Sequence, residues 1–365
     1  MYASKYNLIF DARKQDCFLI MNPLSGAMDF IDSRAVSLVH RPDDQEAHLS
    51  FPEFYQYCRD RGYLYDSAGD EEVALEAAHK KSSALYLAEP FRADVYLTYL
   101  CNLRCTYCFQ GHRLHRGGGV MQPDVIDALF SALDEFRRRW GSPQPPVLTL
   151  IGGEPLLKRR SQSEAVARIL DLCSLKGYRA RIVTNGVDLA SYSEMLAKYN
   201  LDFIQVTLDG PRQVHDRRRI FADGEGSFDY IVAGIDKTLE RGLHVVTRVN
   251  IDAQNVGLLP DLADFILEKG WLNKGMVVGV TPVDEFVPES EWCAEQTKIE
   301  TLKRLLEVKR EYRQTAFMIV GYRLAQFFEH VVDNGHLPAP TLKYCPAVIG
   351  NQVSFDHEGK MFACC

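Results

Sequence analysis

The sequence lacks any run of about 18 apolar residues, the least that crosses a membrane as a helix, and its opening MYASKYNLIFDARKQD lacks the apolar core of a secretory signal. Both absences predict a cytoplasmic protein with no membrane partner. Glycine and proline are sparse, 25 and 16 of 365 residues, and no low-complexity tract or repeat of fixed period is visible, which excludes collagen-like, fibrous and disordered classes. Positive charge is not in excess either. With 42 Lys and Arg against 49 Asp and Glu the net charge is −7, so the electrostatic footprint of a duplex nucleic-acid binder is missing. The short basic runs Arg137-Arg138-Arg139 and Lys158-Arg159-Arg160 read as solvated helix faces. Ten cysteines are too few for a disulfide framework in a chain of 365 residues.

What is present is an average globular composition, 46% hydrophobic and 25% charged, long enough for two or three domains. From about Ala93, short β-branched runs alternate with amphipathic stretches: ADVYLTYL, VLTLIGG, ARIVTNG, FIQVTLDG, LHVVTRVNI and GMVVGVTPV. Helical patterns lie between and after them at roughly 122–140, 161–176, 190–199, 226–242, 257–269 and 291–312. Six βα units fit either a doubly wound open sheet or a barrel, complete or partial. Both place the active site in the loops at the carboxyl ends of the strands.

The first 90 residues have another rhythm. NLIF, CFLIM and AMDFID read as short strands broken by a turn at Asn22-Pro23-Leu24-Ser25-Gly26. FPEFYQYCRDRGYL reads as a core helix stopping near Arg61-Gly62-Tyr63, and 66–83 as a linker or an exposed helix.

Six of the ten cysteines fall within 101–108 and 345–365. Cys17, Cys58, Cys173 and Cys293 are scattered and read as small buried residues. CNLRCTYCFQG follows the first strand of the βα series and carries a CxxxCxxC spacing with Cys101, Cys105 and Cys108. A structural zinc site closes with four ligands, and the fourth is missing locally unless His112 or His115 supplies it. Three soft thiolates otherwise suit an iron-sulfur cluster that leaves one iron open to substrate or cofactor.

CxxxCxxC with an aromatic before the third cysteine resembles the radical S-adenosylmethionine (radical SAM) enzymes. The next strand end, Ile151-Gly152-Gly153-Glu154-Pro155, matches that family's GGEP motif in the correct order. Two glycines permit close backbone approach, and a carboxylate can pair with the ammonium of S-adenosylmethionine (SAM). The resemblance implies that Thr184, Asn185, Asp209, Arg248 and Asn250, all near later strand ends, line SAM, with Arg248 facing its carboxylate; each is otherwise a turn residue or surface ion pair. Tyr107 and Phe109 pack near the adenine or belong to the core. His215 and Arg217 to Arg219 face substrate or simply sit on a solvated loop.

Near the end, KYCPAVIGNQVSFDHEGKMFACC places Cys345 and Cys364 on either side of a hairpin signal containing Gly359. This resembles the start of a SPASM domain, in which such cysteines ligate auxiliary 4Fe-4S clusters. The pattern breaks off at Cys365, which predicts a missing tail or, failing that, a degenerate domain. The N-terminal module is similar to the winged-helix-like element that captures leader peptides by strand addition; a structural cap for the core is the other reading.

Together these readings predict an α/β protein with a partial (β/α)6 TIM-barrel radical SAM core, ordered as a peptide-recognition module over 1–90, the core over 91–315, a connecting helix over 316–342 and the SPASM start over 343–365. The implied cofactors are a 4Fe-4S cluster and SAM. The implied activity is reductive cleavage of SAM to a 5′-deoxyadenosyl radical that modifies a ribosomally made precursor peptide through a thioether or carbon-carbon crosslink. The implied electron donor is a flavodoxin or ferredoxin. Formylglycine formation on a sulfatase-like protein is the alternative chemistry, and a catalytically silent iron-sulfur peptide binder the alternative class. No residue is identified as the catalytic acid or base.

Overall fold

A computed structural model describes residues 1–108, 110, 119–283, 291–321, 323–338 and 350–363. Within it, two compact units separate at Ala88 and Glu89. The first takes in Met1–Ala88 together with the helix Arg323–Asn334, and the second holds the βα series and the C-terminal hairpin.

In the N-terminal unit, β1 (Tyr2–Ala3) pairs antiparallel with β5 (Leu64–Tyr65), and β2 (Leu8–Lys14), β3 (Cys17–Asn22) and β4 (Ala27–Ile31) form an antiparallel sheet in that order. Alternation along a strand gives the sheet two faces. Ile20 points inward and packs with Val39, Tyr55, Cys58, Tyr63 and Leu64. The opposite face carries the cross-strand rows Leu8, Met21, Met28 and Phe10, Leu19, Phe30. Asn22 locks the turn after β3: its amide donates to Ser4 Oγ, Asn7 Oδ1 and the Gly62 carbonyl, and its carbonyl oxygen accepts from Leu24 and Ser25. Of residues 66–83, left open as linker or helix, 68–83 lie in the helix Ala68–Leu87, which Ser67 caps by accepting from Asp70 N.

The second unit is built on β6 (Arg92–Tyr96), β7 (Val147–Ile151), β8 (Arg179–Thr184), β9 (Leu201–Thr207), β10 (Val245–Ile251) and β11 (Val277–Pro282). These are the six expected strands. Their inward residues, among them Val95, Leu148, Leu150, Ile182, Ile204, Val206, Val249 and Val280, are fully buried, as parallel strands covered by helices require. Each strand lies beside its predecessor and all six are parallel, so the series winds one way only. A doubly wound sheet reverses its strand order at a switch point; this one does not, and the partial-barrel reading holds.

The helices Pro123–Trp140, Arg160–Lys176, Leu189–Leu196, Phe228–Glu240, Leu259–Glu268 and Glu291–Glu311 follow the predicted stretches within a few residues. An additional short helix, Arg212–Arg218, lies where a loop was expected. In the segment read as one connecting helix, residues Ile319–Val320 form β12, which extends the sheet beside β11, ahead of the helix Arg323–Asn334. The C-terminal hairpin forms from β13 (Gln352–Phe355) and β14 (Met361–Phe362), and β13 adds parallel to β6, extending the sheet at its other end. Cys345, Cys364 and Cys365 lie outside the described residues, so the auxiliary-cluster expectation does too.

Candidate active site at the strand ends

The carboxyl ends of β6 to β10 form one rim, and the sequence-predicted residues occupy five consecutive positions on it. Cys101, Cys105 and Cys108 follow β6, Gly152 to Pro155 follow β7, Thr184 and Asn185 end β8, Asp209 follows β9, and Arg248 and Asn250 lie on β10. Phe109, His112 and His115 lie outside the described residues.

The loop after β7 is pressed against the cysteine loop. Gly153 N donates to Thr98 O at 2.8 Å and Glu154 N to Leu100 O at 2.8 Å. A β-carbon at Gly152 would stand 2.4 Å from Thr98 O, and one at Gly153 2.4 Å from Leu100 O, so both glycines are demanded by backbone contact. Glu154 turns inward, 1% exposed. Its carboxylate accepts from Thr184 Oγ1 (2.6 Å), Asn185 N (2.6 Å) and Leu156 N (2.8 Å), and burial pushes its pKa up to about 7. Glu154 therefore ties the β7 and β8 loops together. Thr184 serves the same tie, and Pro155 is held by Gln162, whose amide donates to the carbonyls of Glu154 and Pro155.

Asn185 reaches the cysteine loop. Its amide donates to Asn102 Oδ1 at 2.7 Å and to Cys101 Sγ at 3.8 Å, while Leu103 N donates to the same sulfur at 3.4 Å. Burial, helped by the nearby Glu154, pushes the Cys101 thiol up to about 12, and burial also raises Cys105, against the pull of Arg219. Such thiols ionise when a metal binds them.

Asp209 is the centre of a second buried cluster. Its Oδ1 accepts from Asn250 N (3.0 Å) and Asn250 Nδ2 (3.2 Å), and its Oδ2 accepts from the Tyr107 hydroxyl and lies 3.7 Å from Arg218 Nε. Arg218 also pairs with Asp252 and stacks over the Tyr107 ring, 4.9 Å from its centroid. Arg219 donates to Tyr107 Oη at 2.8 Å. Arg248 donates to Asn250 Oδ1 at 2.8 Å.

Sequence reasoning left the 212–226 segment open, and the fold resolves it as a brace. Thr106 N donates to Arg218 O, Arg104 N to Ile220 O, and Leu103 bridges Phe221. His215 is buried and its pKa is held well below the ordinary value by burial and by the charges of Arg219 and Arg218. The neutral ring accepts from Asp209 N at Nδ1 and contacts Ser227 Oγ at Nε2; Ser227 in turn donates to Arg219 O. Of the three arginines only Arg217 is solvated. The missed signal was the pair of carboxylates, Asp209 and Asp252, that the strand order brings beneath them.

The donor set fits a cluster better than a single ion. Cys101, Cys105 and Cys108 are three soft thiolates on one short loop, a set that would fit a cluster with one iron left open. A structural zinc site closes with four ligands, and among the described residues no fourth is assigned to this loop.

Residues 95–266 match the model of the radical SAM superfamily, whose members use a 4Fe-4S cluster and SAM. Over 174 residues the chain is 30% identical to the Fe-coproporphyrin III synthase of Methanosarcina barkeri, covering 47% of this chain and 40% of the relative. Over 199 residues it is 30% identical to a probable GTP 3',8-cyclase of Methanococcus maripaludis, covering 53% and 58%. The chain thus spans about half the length of the curated relatives it matches. Among solved structures, anSMEcpe with bound AdoMet superposes with a TM-score of 0.57 at 16% identity, covering 75% of this chain and 74% of that one. SuiB of Streptococcus suis bound to S-adenosylmethionine superposes with a TM-score of 0.54 at 16% identity, covering 100% and 83%. These two likenesses concern the fold.

Proposed function

We propose, from the match of residues 95–266 to the radical SAM superfamily model, that the chain is an enzyme that modifies a ribosomally made precursor peptide. The observation that carries the radical chemistry is that the Gly152–Gly153 backbone is pressed against Thr98 to Leu100, the residues that lead directly into the loop of Cys101, Cys105 and Cys108. When bound, the cluster and SAM supply one-electron cleavage to a 5′-deoxyadenosyl radical. The residues of this chain hold and orient: three thiolates for iron, the backbone of the loop after β7 for the methionyl group, and Glu154 and Asn185 to lock that loop to the cysteine loop.

The peptide substrate is supported by the N-terminal unit. Among the described residues β4 (Ala27–Ile31) is an edge strand that pairs with β3 alone, a geometry suited to strand addition by an extended leader. The other edge, β2, is less suitable, because its pairing shifts between Asp11 and Lys14 and Arg13 and Asp16 have positive φ, and such irregularity blunts an edge. SuiB, which superposes along all of this chain, has a structure bound to precursor peptide SuiA. A thioether or carbon-carbon crosslink is the modification proposed, with a flavodoxin or ferredoxin as electron donor.

The test is anaerobic incubation of the iron-loaded full chain with SAM, reductant and candidate precursor peptides, read by mass spectrometry. Loss of a pair of hydrogens from the peptide core, dependent on its leader, is expected. Conversion of Ser or Cys to formylglycine on a leaderless peptide would favour the sulfatase-maturase reading instead. SAM cleavage coupled only to a tetrapyrrole or nucleotide would overturn the peptide reading.

A further inference from the structure

Alternation gives the barrel sheet two faces. One is fully buried under the helices, and the other is half-buried, with Asp94, Thr149, Arg181, Gln205, Arg248 and Gly279 at its middle, one from each of β6 to β11. Asp94, Arg181 and Arg248 carry the charge there. Asp94 accepts from Gln352 Nε2 at 2.6 Å, and Arg181 pairs with Asp202 at 2.9 Å. Arg248 differs from both. Its Nε donates to Asn250 Oδ1 at 2.8 Å, but among the described residues no Asp or Glu forms an ion pair with it and neither terminal nitrogen has a bond.

The position across from Arg248 holds no side chain. In the β10–β11 register Arg248 faces Gly279, and a β-carbon built there would meet nothing outside its chain neighbours nearer than Thr247 O at 3.9 Å. A glycine in a strand interior marks a place where another group comes close. A guanidinium whose two terminal nitrogens are unengaged, beside such a space, matches the two oxygens of a carboxylate.

We propose that Arg248 is a specificity-determining residue that binds a carboxylate of the substrate, an acidic side chain in the core of the precursor peptide. SAM is the other possible source of a carboxylate, and the topology disfavours it. Its amino and carboxylate groups share one carbon, and the backbone set out for its methionyl group follows β7, three strands from β10, or roughly 14 Å along the sheet at about 4.8 Å per strand. The bond to Asn250 meanwhile keeps the Arg248 guanidinium on β10. Asn250, two residues further along, donates to Tyr107 of the cysteine loop, so the Arg248 backbone lies roughly 7 Å deeper than that tie, at about 3.3 Å per residue. An acidic residue anchored there presents its own carbons, or those of a neighbour about 3.8 Å along the chain, toward the rim.

This inference rests on the peptide reading above, and the two fail differently: a precursor left unmodified refutes that reading, whereas the state of the Arg248 guanidinium decides this one. The anaerobically iron-loaded full chain is treated with phenylglyoxal, which modifies accessible guanidinium groups, and modification of Arg248 is read by mass spectrometry of its proteolytic fragment. The additions are SAM, glutarate, and millimolar capped pentapeptides Ala-Ala-Glu-Ala-Ala and Ala-Ala-Gln-Ala-Ala. Arg248 is expected to react in the chain alone and with SAM, and to be slowed roughly fivefold or more by the Glu peptide and not by the Gln peptide. Protection by SAM alone would assign Arg248 to the SAM carboxylate and overturn the proposal. Equal protection by both peptides, or by neither, would also overturn it. So would protection by glutarate without protection by the Glu peptide, because the subsite would then serve a small acid. An Arg248 that fails to react in the chain alone would overturn it too, since its terminal nitrogens would already be covered.

Discussion

At the strand ends of the barrel the charged groups are inside: Glu154, Asp209, His215, Arg218 and Arg219 are all buried. In the N-terminal sheet the apolar groups are outside: Phe30 is 69% exposed, Phe10 48% and Leu8 43%. Buried charge is costly unless partnered, and here nearly every group has an assigned bond, which marks a preorganised polar site. An exposed apolar row on a three-stranded sheet carries no such network, and its side chains contribute little to folding. The contrast predicts that substitutions at the rim alter chemistry and stability together, whereas substitutions on the sheet alter recognition alone.

The sharpest way to break this contrast is at the cysteines. Replacing Cys101, Cys105 and Cys108 by Ala together should reduce both iron content and 5′-deoxyadenosine release to background, measured on anaerobically reconstituted protein. Next in size is Glu154→Ala, which strips an acceptor from Thr184 Oγ1, Asn185 N and Leu156 N. At about 1–3 kcal/mol for each buried donor left unmet, the rim should lose roughly 3 kcal/mol or more of local stability, read by hydrogen exchange at those amides. Glu154 also sets a pH dependence. Its pKa rises from 4.5 to about 7 in the fold, so the native rim binds a proton that the unfolded chain releases. Stability from this group is complete below 4.5 and is lost as pH rises to about 7, a fall of roughly 3 kcal/mol, and Glu154→Gln should flatten that slope.

A smaller effect is expected from Gly153→Ala. Its new methyl must displace the backbone at Leu100 and Tyr99, at a cost of about 1–3 kcal/mol, and cysteine-loop displacement should lower iron incorporation. Phe30→Ser should change the unfolding midpoint least, by about 0.5 kcal/mol or less, while weakening binding of a leader peptide measured calorimetrically. A large loss of stability in Phe30→Ser, or none in Glu154→Ala, would dissolve the contrast between the two regions.

The barrel was legible because each of its strands is a self-contained apolar run ending in polar residues: VLTLIGGEP announces a buried strand and a close-approach loop in nine letters. The three cysteines were legible from spacing alone. The bonds of Glu154 were not, because only strand order brings Thr184 and the Asn185 amide to its carboxylate. The brace at 212–226 was illegible for the same reason. Three adjacent arginines look solvated in a linear sequence, and Arg218 and Arg219 become buried only when Asp209, Asp252 and Tyr107 arrive from other strand ends. Asn185 was expected to line SAM, and its amide is committed to Asn102 and the Cys101 sulfur. Local pattern thus identifies which residues sit on the rim, and strand order decides which of them bond to one another.

The most direct test of the account is the amount of 5′-deoxyadenosine released from SAM by the anaerobically iron-loaded full chain under a strong reductant, beside the Cys101, Cys105 and Cys108 triple Ala variant. Release by the wild type and none by the variant is the predicted result. An iron-loaded wild type that leaves SAM intact, or a chain that takes zinc in place of iron, would contradict it.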